Sequence, residues 1–476
     1  MRVASALFTA ALTLFLVRYL GPDDYGVFAL ALSVGLLLLL PADFGASRSA
    51  ARFIAERRGK PDEITGVLRH ALLLKLCIGA LTAAALIAAA GPIADAYDQP
   101  DLVWPLRIVA LAVLGQSLML LFTTTFEAVG RNSLAFRLTV SESALELTAS
   151  LGLVLAGAGV AGAVGGRAIG YGVGMLIGLL MTQRMLGRAN LLRAPEAAIP
   201  GLRSIALYAG ALFLVDAAYS AFSQIDVLLI GALLDARSAG IYAAPVQMLA
   251  FGAFAGIALA AGVAPRLARS EGEEPDVGAL ESGLRLLLIF QFLLAIPLVV
   301  WATPITDLLL GSDYEESADV FRALGPFIVM MGAGPLLALS VNYLGEARRR
   351  IPLALGALGI NALIDVLLIP EIGIVAGAIG TDVAYLFFFG GHVVICRRLI
   401  GLPLSGLART ALRTSLAAAA MAGVLFAFGT STLTVLEAVS GAVLGLVAYG
   451  AVLLLTREIT RSELRAAGAL ARRVVS

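Results

Sequence analysis

The chain predicts an all-α integral membrane protein of about fourteen transmembrane helices, set out as two parallel six-helix repeats and an unrepeated C-terminal pair. Three observations carry that fold class. Hydrophobic residues make up 60% of the 476 and charged residues only 14%, with a mean hydropathy of +0.94, far outside soluble composition. The apolar runs extend for about 20 residues, enough for a helix rising about 1.5 Å per residue to cross about 30 Å of hydrocarbon. The third observation is a duplication. The stretch from Arg18 to Arg58, RYLGPDDYGVFALALSVGLLLLLPADFGASRSAARFIAERR, returns about 215 residues later as IGALLDARSAGIYAAPVQMLAFGAFAGIALAAGVAPRLAR.

The register of that duplication holds along a whole lobe. Gly26 falls on Gly240, Arg107 on Arg322, Gly130 on Gly345 and Glu146 on Asn361, and Arg52 lies close to Arg266 and Arg269. In the first lobe the helices fall near 2–20, 26–48, 67–90, 104–126, 138–157 and 161–184. The second lobe gives 204–233, 239–264, 283–303, 320–343, 352–369 and 373–396, and the unrepeated pair 410–429 and 433–455. The domains are therefore an N-lobe over 1–184, an inter-lobe linker over 185–203 rich in arginine and proline, a C-lobe over 204–399, and a last pair with its tail over 400–476. The opening MRVASALFTAALTLFLVRYLG has the look of a signal peptide, but it aligns with 215–235, where no signal could sit. Residues 202–214 have no counterpart in the first lobe, so a start upstream of Met1 is expected.

Orientation follows from the sorting of charge, because loops that stay in the cytoplasm retain lysine and arginine. About 27 of the 34 basic residues fall in the connections after even-numbered helices and in the tail. The opposite loops are acidic, with Asp95, Asp98 and Asp101 in one and Asp307, Asp313, Glu315, Glu316 and Asp319 in its repeat counterpart. Both termini are expected in the cytoplasm of a multi-pass protein of the inner membrane. Six helices per lobe is an even number, so the repeats are parallel, about an axis along the membrane normal.

Charges inside apolar runs are the candidate functional residues, since each costs about 2.5–3.5 kcal/mol in hydrocarbon and needs a partner or a wet cavity. Lys75 and Arg167 lie about six residues, or ~9 Å, inside their expected helices, where either a cavity role or a structural ion pair would hold them. Arg107 and Arg322 sit near outer helix ends and can snorkel. Glu142 and Glu146 are one turn apart on one face, which would favour holding a proton between them and suits ion coupling. They read equally as interfacial carboxylates paired with Arg137 or Lys75. Asp216, Asp226, Asp365 and Asp382 are further intramembrane acids, and Asp382 aligns with Arg167, which allows a gating pair between the lobes. Gly162, Gly166, Gly170, Gly174 and Gly178 share one helix face, either a packing ridge or a sliding surface.

No catalytic constellation, phosphate-binding loop or cofactor motif is present, and His70, His392, Cys77 and Cys396 are too few and too scattered for a metal site or a disulfide framework. Catalytic and metal residues are thus expected to be none.

The segments RYLGPDDYGVFALA, ADFGASRSAARFIAE and NYLGEARRRIPLALGALGINALIDVLLIPEIGIVAGAIG resemble the polysaccharide-biosynthesis flippases of the multidrug/oligosaccharidyl-lipid/polysaccharide exporter superfamily. The resemblance covers nearly the whole chain. It implies two six-helix bundles around a central V-shaped cavity, alternating access, and flipping of a polyprenyl-(pyro)phosphate-linked oligosaccharide to the outer leaflet. It also implies a cationic cavity for the diphosphate, which would fall to Lys75, Arg167, Arg107 and Arg322, with Glu142, Glu146, Asp216 and Asp382 for ion coupling or gating.

The expected partners are membrane lipid and lipid-linked oligosaccharide, with proton or sodium coupling and no nucleic acid, for a monomer beside polysaccharide-assembly proteins. Two alternatives are a drug/cation antiporter of the same superfamily, favoured by net negative charge in the cavity, and a membrane-embedded glycosyltransferase or polymerase. The longest outer loops, about 13 to 16 residues, are thin for the latter.

Overall fold

The computed structural model of the chain describes residues 2–187, 202–267 and 275–459. Most of the expected linker and tail, 188–201 and 460–476, lies outside the described residues. Among the described residues there is no strand, and eleven stretches are long and apolar enough to cross a membrane.

The helices run α1 (Arg2–Asp43), α2 (Ala46–Glu56), α3 (Pro61–Ala96), α4 (Val103–Ala128), α5 (Asn132–Leu153), α6 (Gly159–Leu186), α7 (Leu202–Leu233), α8 (Ala236–Val263), α9 (Val277–Val300), α10 (Ala302–Leu309), α11 (Ser317–Ala323), α12 (Gly325–Met331), α13 (Ala333–Tyr343), α14 (Ile351–Ile372), α15 (Val375–Ile400), α16 (Leu404–Ala427) and α17 (Val435–Leu455). They group into two compact units, one of 1–247 with 358–377 and one of 248–357 with 378–476. That grouping does not follow the repeat boundary, because α7 packs on α1.

Several elements depart from the sequence expectation for identifiable reasons. The first two expected helices are joined through a single non-helical residue, Gly21, at φ 71°. Pro22 follows it, and proline suits the first position of a helix, so no separate polar loop is needed. The chain still reverses there. Thr9 and Leu36 line one cavity, whereas a straight helix would separate them by about 40 Å. Beyond Asp43, left-handed Phe44 and Gly45 end the helix, and α2 follows as a separate amphipathic segment that buries Ser47, Ala50 and Ile54 while Arg48 and Arg52 stay exposed. The expected helix 320–343 is three short helices, broken at Leu324 and Gly332, with Pro326 just inside the second.

In the first unit, α5 and α6 form an antiparallel hairpin across a π turn at 154–158. A methyl group at Gly170 would stand 2.9 Å from the Glu146 Cβ, one at Gly174 3.2 Å from that of Glu142, and one at Gly178 2.8 Å from the Phe122 ring. The glycine face is therefore a packing ridge against α5 and α4. Hydrocarbon gives no preference for helix over lipid, so such close backbone approach is what holds the helices together.

In the second unit, Leu280, Leu284 and Leu287 of α9 pack on Leu336, Leu337 and Val341 of α13 and on Cys396 of α15. The last pair, α16 and α17, is fastened to α9. Tyr449 Oη donates to the Ile289 carbonyl at 2.7 Å, and Trp301 Nε1 donates to the Leu425 and Gly429 carbonyls at 3.2 and 3.1 Å.

Just past α17, Glu458 is 4% exposed and accepts from Arg285 Nε at 2.9 Å, Thr410 Oγ1 at 2.7 Å and Arg413 Nη1 at 3.1 Å. Burial alone would raise its carboxyl, but the three donors outweigh it and hold the group below its ordinary value of 4.5. A depressed carboxyl contributes stability that is complete above the unfolded value and lost as pH falls through the folded one. Thermal unfolding in detergent should therefore show wild type losing stability below about pH 4.5. Glu458→Gln should be less stable than wild type by about 1–3 kcal/mol at pH 7 and show a flatter acid limb.

Candidate functional site

The α5–α6 hairpin brings together the charges that matter in the first unit. Arg167 on α6 donates from Nη1 to Glu146 Oε1 on α5 at 2.8 Å and from Nη2 to Tyr171 Oη at 3.3 Å, with the guanidinium 5.2 Å from the centre of the Tyr171 ring. Glu142, one turn from Glu146, is 4% exposed; its Oε2 accepts from Ser143 Oγ at 3.2 Å and its Oε1 has no hydrogen-bond partner. Two carboxylates thus face one guanidinium. Glu146, Arg167 and Ser143 line a cavity of about 140 Å³ together with Thr9 and Thr13 of α1 and Gln247 of α8. Its apolar wall comes from Phe8, Tyr25 and Phe28 and from leucines of α1.

Lys75 is not in this cavity. It is fully buried in α3, and its Nζ donates to Asp43 Oδ1 of α1 and to Ser47 Oγ of α2 at 2.5 Å, while Ser47 Oγ donates to Asp43 at 2.5 Å. The ammonium is locked in a protein ion pair. The expectation of a cation free to meet a diphosphate there is not what the geometry shows. Asp43 lies just beyond the apolar run, and nothing in the sequence singled it out.

A second polar cluster lies in the same unit where α7 meets α14. Tyr242 Oη donates to Asp226 Oδ2 and Asn361 Nδ2 to Asp226 Oδ1, each at 2.5 Å. Asp365 is fully buried beside Asp226, and both its carboxylate oxygens and Asn361 Oδ1 lack a donor. The cluster thus holds two carboxylates, Asp226 and Asp365, and one amide oxygen, and a proton or another cation among them would relieve the repulsion. In the sequence Asn361 aligns with Glu146.

The other expected site residues have neighbours of their own. Asp216 pairs with Arg48 of α2, and Arg322 pairs with Asp319 and Thr303 at 2.6 Å each, half-exposed. Arg107 stands 5.1 Å from the ring centre of exposed Trp104, with its buried Nε unpartnered. Asp382, in the second unit, accepts from the Phe327 backbone N–H at 2.8 Å. Arg167 and Asp382 thus each have a partner inside their own unit.

Two stretches that align with each other in the sequence meet in the first unit. Gly26 and Gly240, equivalent by the duplication, face each other so closely that a methyl on Gly240 would stand 2.8 Å from the Gly26 nitrogen. At the same offset Arg237 Nη1 donates to Asp23 Oδ2 at 2.9 Å.

A family model described as polysaccharide biosynthesis protein matches residues 15–319. No curated protein matches the chain. Among solved structures it is similar to a lipid II flippase, MurJ, in an inward closed conformation, at TM-score 0.75 and 12% identity, covering 95% of this chain and 98% of that one. It is also similar to a multidrug resistance MATE family transporter of the MOP superfamily in an inward-facing conformation, at TM-score 0.66 and 15% identity over 86% and 95%. A eukaryotic MATE transporter follows at TM-score 0.61 and 14% identity over 86% and 95%. These likenesses describe the fold, and it is the family model, spanning well over half of the chain, that fixes membership: the chain belongs to the polysaccharide biosynthesis protein family.

Proposed function

We propose that the chain moves a polyprenyl-(pyro)phosphate-linked oligosaccharide from the cytoplasmic to the outer leaflet by alternating access. The observation that carries this reading is the polysaccharide biosynthesis match over 15–319, on a fold similar to a lipid II flippase. We place the protein in the inner membrane with both termini cytoplasmic, as about fourteen crossings in two parallel lobes, 1–184 and 204–399, around a V-shaped cavity. The Gly26–Gly240 approach and the Asp23–Arg237 pair support that layout, since equivalent segments touch each other where a two-fold axis passes between them.

In this reading Glu146 and Arg167 meet the cargo, and Asp226 with Asp365 takes the coupling cation. The donors there, two carboxylates, the Asn361 amide oxygen and the Tyr242 hydroxyl, are all oxygen, the set that suits a proton or a hard ion such as sodium. Lys75, Asp216 and Arg322 serve structure. The protein works as a monomer beside polysaccharide-assembly partners.

One observation favours a second reading, a drug/cation antiporter: two carboxylates, Glu146 in the cavity wall and Glu142 one turn away, oppose a single guanidinium. Reconstitution in proteoliposomes separates the two. Purified protein should expose a polyprenyl diphosphate-linked oligosaccharide to an added lectin at least about tenfold faster than protein-free vesicles. The rate should respond to an imposed proton or sodium gradient and lose that response in Asp365→Asn. Uptake of tetraphenylphosphonium against such a gradient, with the oligosaccharide left in its leaflet, would decide for the antiporter.

A further inference from the structure

The cavity of the first unit has a size, a charge balance and a lining that together specify a ligand more narrowly than the transport reading on which this inference rests. Its volume is about 140 Å³. A space of roughly 150 Å³ accommodates one six-membered ring, whereas drug-sized ligands occupy pockets of about 300–1,000 Å³. That space holds one ring.

The positive charge at the wall is already met. Arg167, the cation that would receive a phosphate, is engaged by Glu146 at 2.8 Å and by Tyr171, with Glu142 close behind. An anion entering here would meet the Glu146 carboxylate at the wall, with Glu142 behind it, beside a guanidinium whose charge is already met. Like charges so placed discriminate strongly against a ligand. A large organic cation would find the sign acceptable and the space too small.

What remains exposed to the cavity is a set of short-range donors and acceptors. Arg167 carries five N–H donors, of which Glu146 and Tyr171 take two. Glu146 is an acceptor, Thr9, Thr13 and Ser143 are hydroxyls, and Gln247 is an amide. The rings of Tyr25 and Phe28 line the same cavity. A pyranose matches that pattern, with hydroxyls around its rim to exchange hydrogen bonds with a carboxylate–guanidinium pair and C–H faces to lie on an aromatic ring.

We infer that this cavity is a subsite for one uncharged sugar ring of the cargo, held by the Glu146–Arg167 pair and bounded by Thr13, with the diphosphate held elsewhere. Acidic sugars are rejected at this position. Specificity for the glycan therefore resides in the α1–α5–α6 pocket and not in the recognition of phosphate.

The test is ligand-induced thermal stabilisation of the purified full chain in nanodiscs, with N-acetylglucosamine, glucuronic acid, inorganic pyrophosphate and tetraphenylphosphonium as probes. N-acetylglucosamine should raise the melting temperature in a saturable way, and glucuronic acid and pyrophosphate at equal concentration should not. Thr13→Phe fills the cavity without touching a charge and should abolish the shift, and Glu146→Gln should weaken sugar binding by about tenfold, the scale of one charge-assisted hydrogen bond. Since Glu146→Gln disturbs a buried pair, Thr13→Phe keeps the test decisive if that variant unfolds.

Pyrophosphate binding that disappears in Arg167→Gln would overturn the sugar subsite and leave the transport reading standing. Tetraphenylphosphonium binding that disappears in Glu146→Gln, with no response to sugar, would overturn both. A sugar response untouched by Thr13→Phe, or no response to any probe, would overturn the subsite, and the proteoliposome assay still decides transport.

Discussion

Replacing Lys75 with methionine is expected to cost about 3–5 kcal/mol, because it leaves the Asp43 carboxylate in the interior without its ammonium partner. Lys75 is fully buried, and Ser47 bridges it to Asp43 with two bonds of 2.5 Å. Removing both charges is a different matter. A buried ion pair exchanged for neutral groups of similar volume is commonly near neutral in stability, so Asp43→Asn combined with Lys75→Met should recover most of the loss. Equilibrium unfolding in mixed micelles gives the stability half of this cycle and the proteoliposome rate gives the other. If Lys75 serves only to hold α1, α2 and α3 together, transport returns with stability in the double variant. A stable double variant that does not transport would place Lys75 in contact with the cargo.

Gly26→Val is the second large effect. A side chain at Gly26 would run into the Ala236 carbonyl oxygen and stand 3.2 Å from the Gly240 nitrogen, and both are backbone atoms that cannot rotate aside. Overpacking where nothing can give costs about 3 kcal/mol, and here it must also push α8 away from α1. Transport should fall by at least about tenfold and the melting temperature with it. Gly91→Ala is the matched control, since a methyl there meets nothing within 4 Å, and it should be neutral or slightly stabilising. Equal behaviour of the two glycine variants would mean that the repeats do not depend on this approach.

Much of the fold was legible because its signals are periodic. Apolar length marks the helices, and Gly26 and Gly240, which align in the sequence, stand against each other in the first unit. The four-residue glycine spacing on α6 likewise became a ridge against α5 and α4. Contacts between charges were not legible in the same way. The alignment relates Arg167 to Asp382, but alignment does not name a bonding partner: Arg167 donates to Glu146 across a hairpin turn, and Asp382 accepts from the Phe327 N–H. The partner of Lys75, Asp43, was hidden for the opposite reason: it ends α1, where an acid reads as an ordinary boundary residue. The cluster of Asp226, Asn361 and Asp365 needs α7 and α14 side by side, which only the tertiary structure supplies. The break of 320–343 into three helices follows from Gly325, Pro326 and Gly332, residues visible in the sequence but tolerated in many continuous membrane helices.

The cavity of the first unit is where cargo and protein should meet, and a single cysteine tests it. With Cys77 and Cys396 replaced, Thr13→Cys in proteoliposomes should react with a small hydrophilic thiol reagent, and lipid-linked neutral oligosaccharide should slow that reaction by at least about tenfold. A Thr13→Cys thiol that transports normally yet is modified at the same rate with and without cargo would show that the oligosaccharide passes by another route.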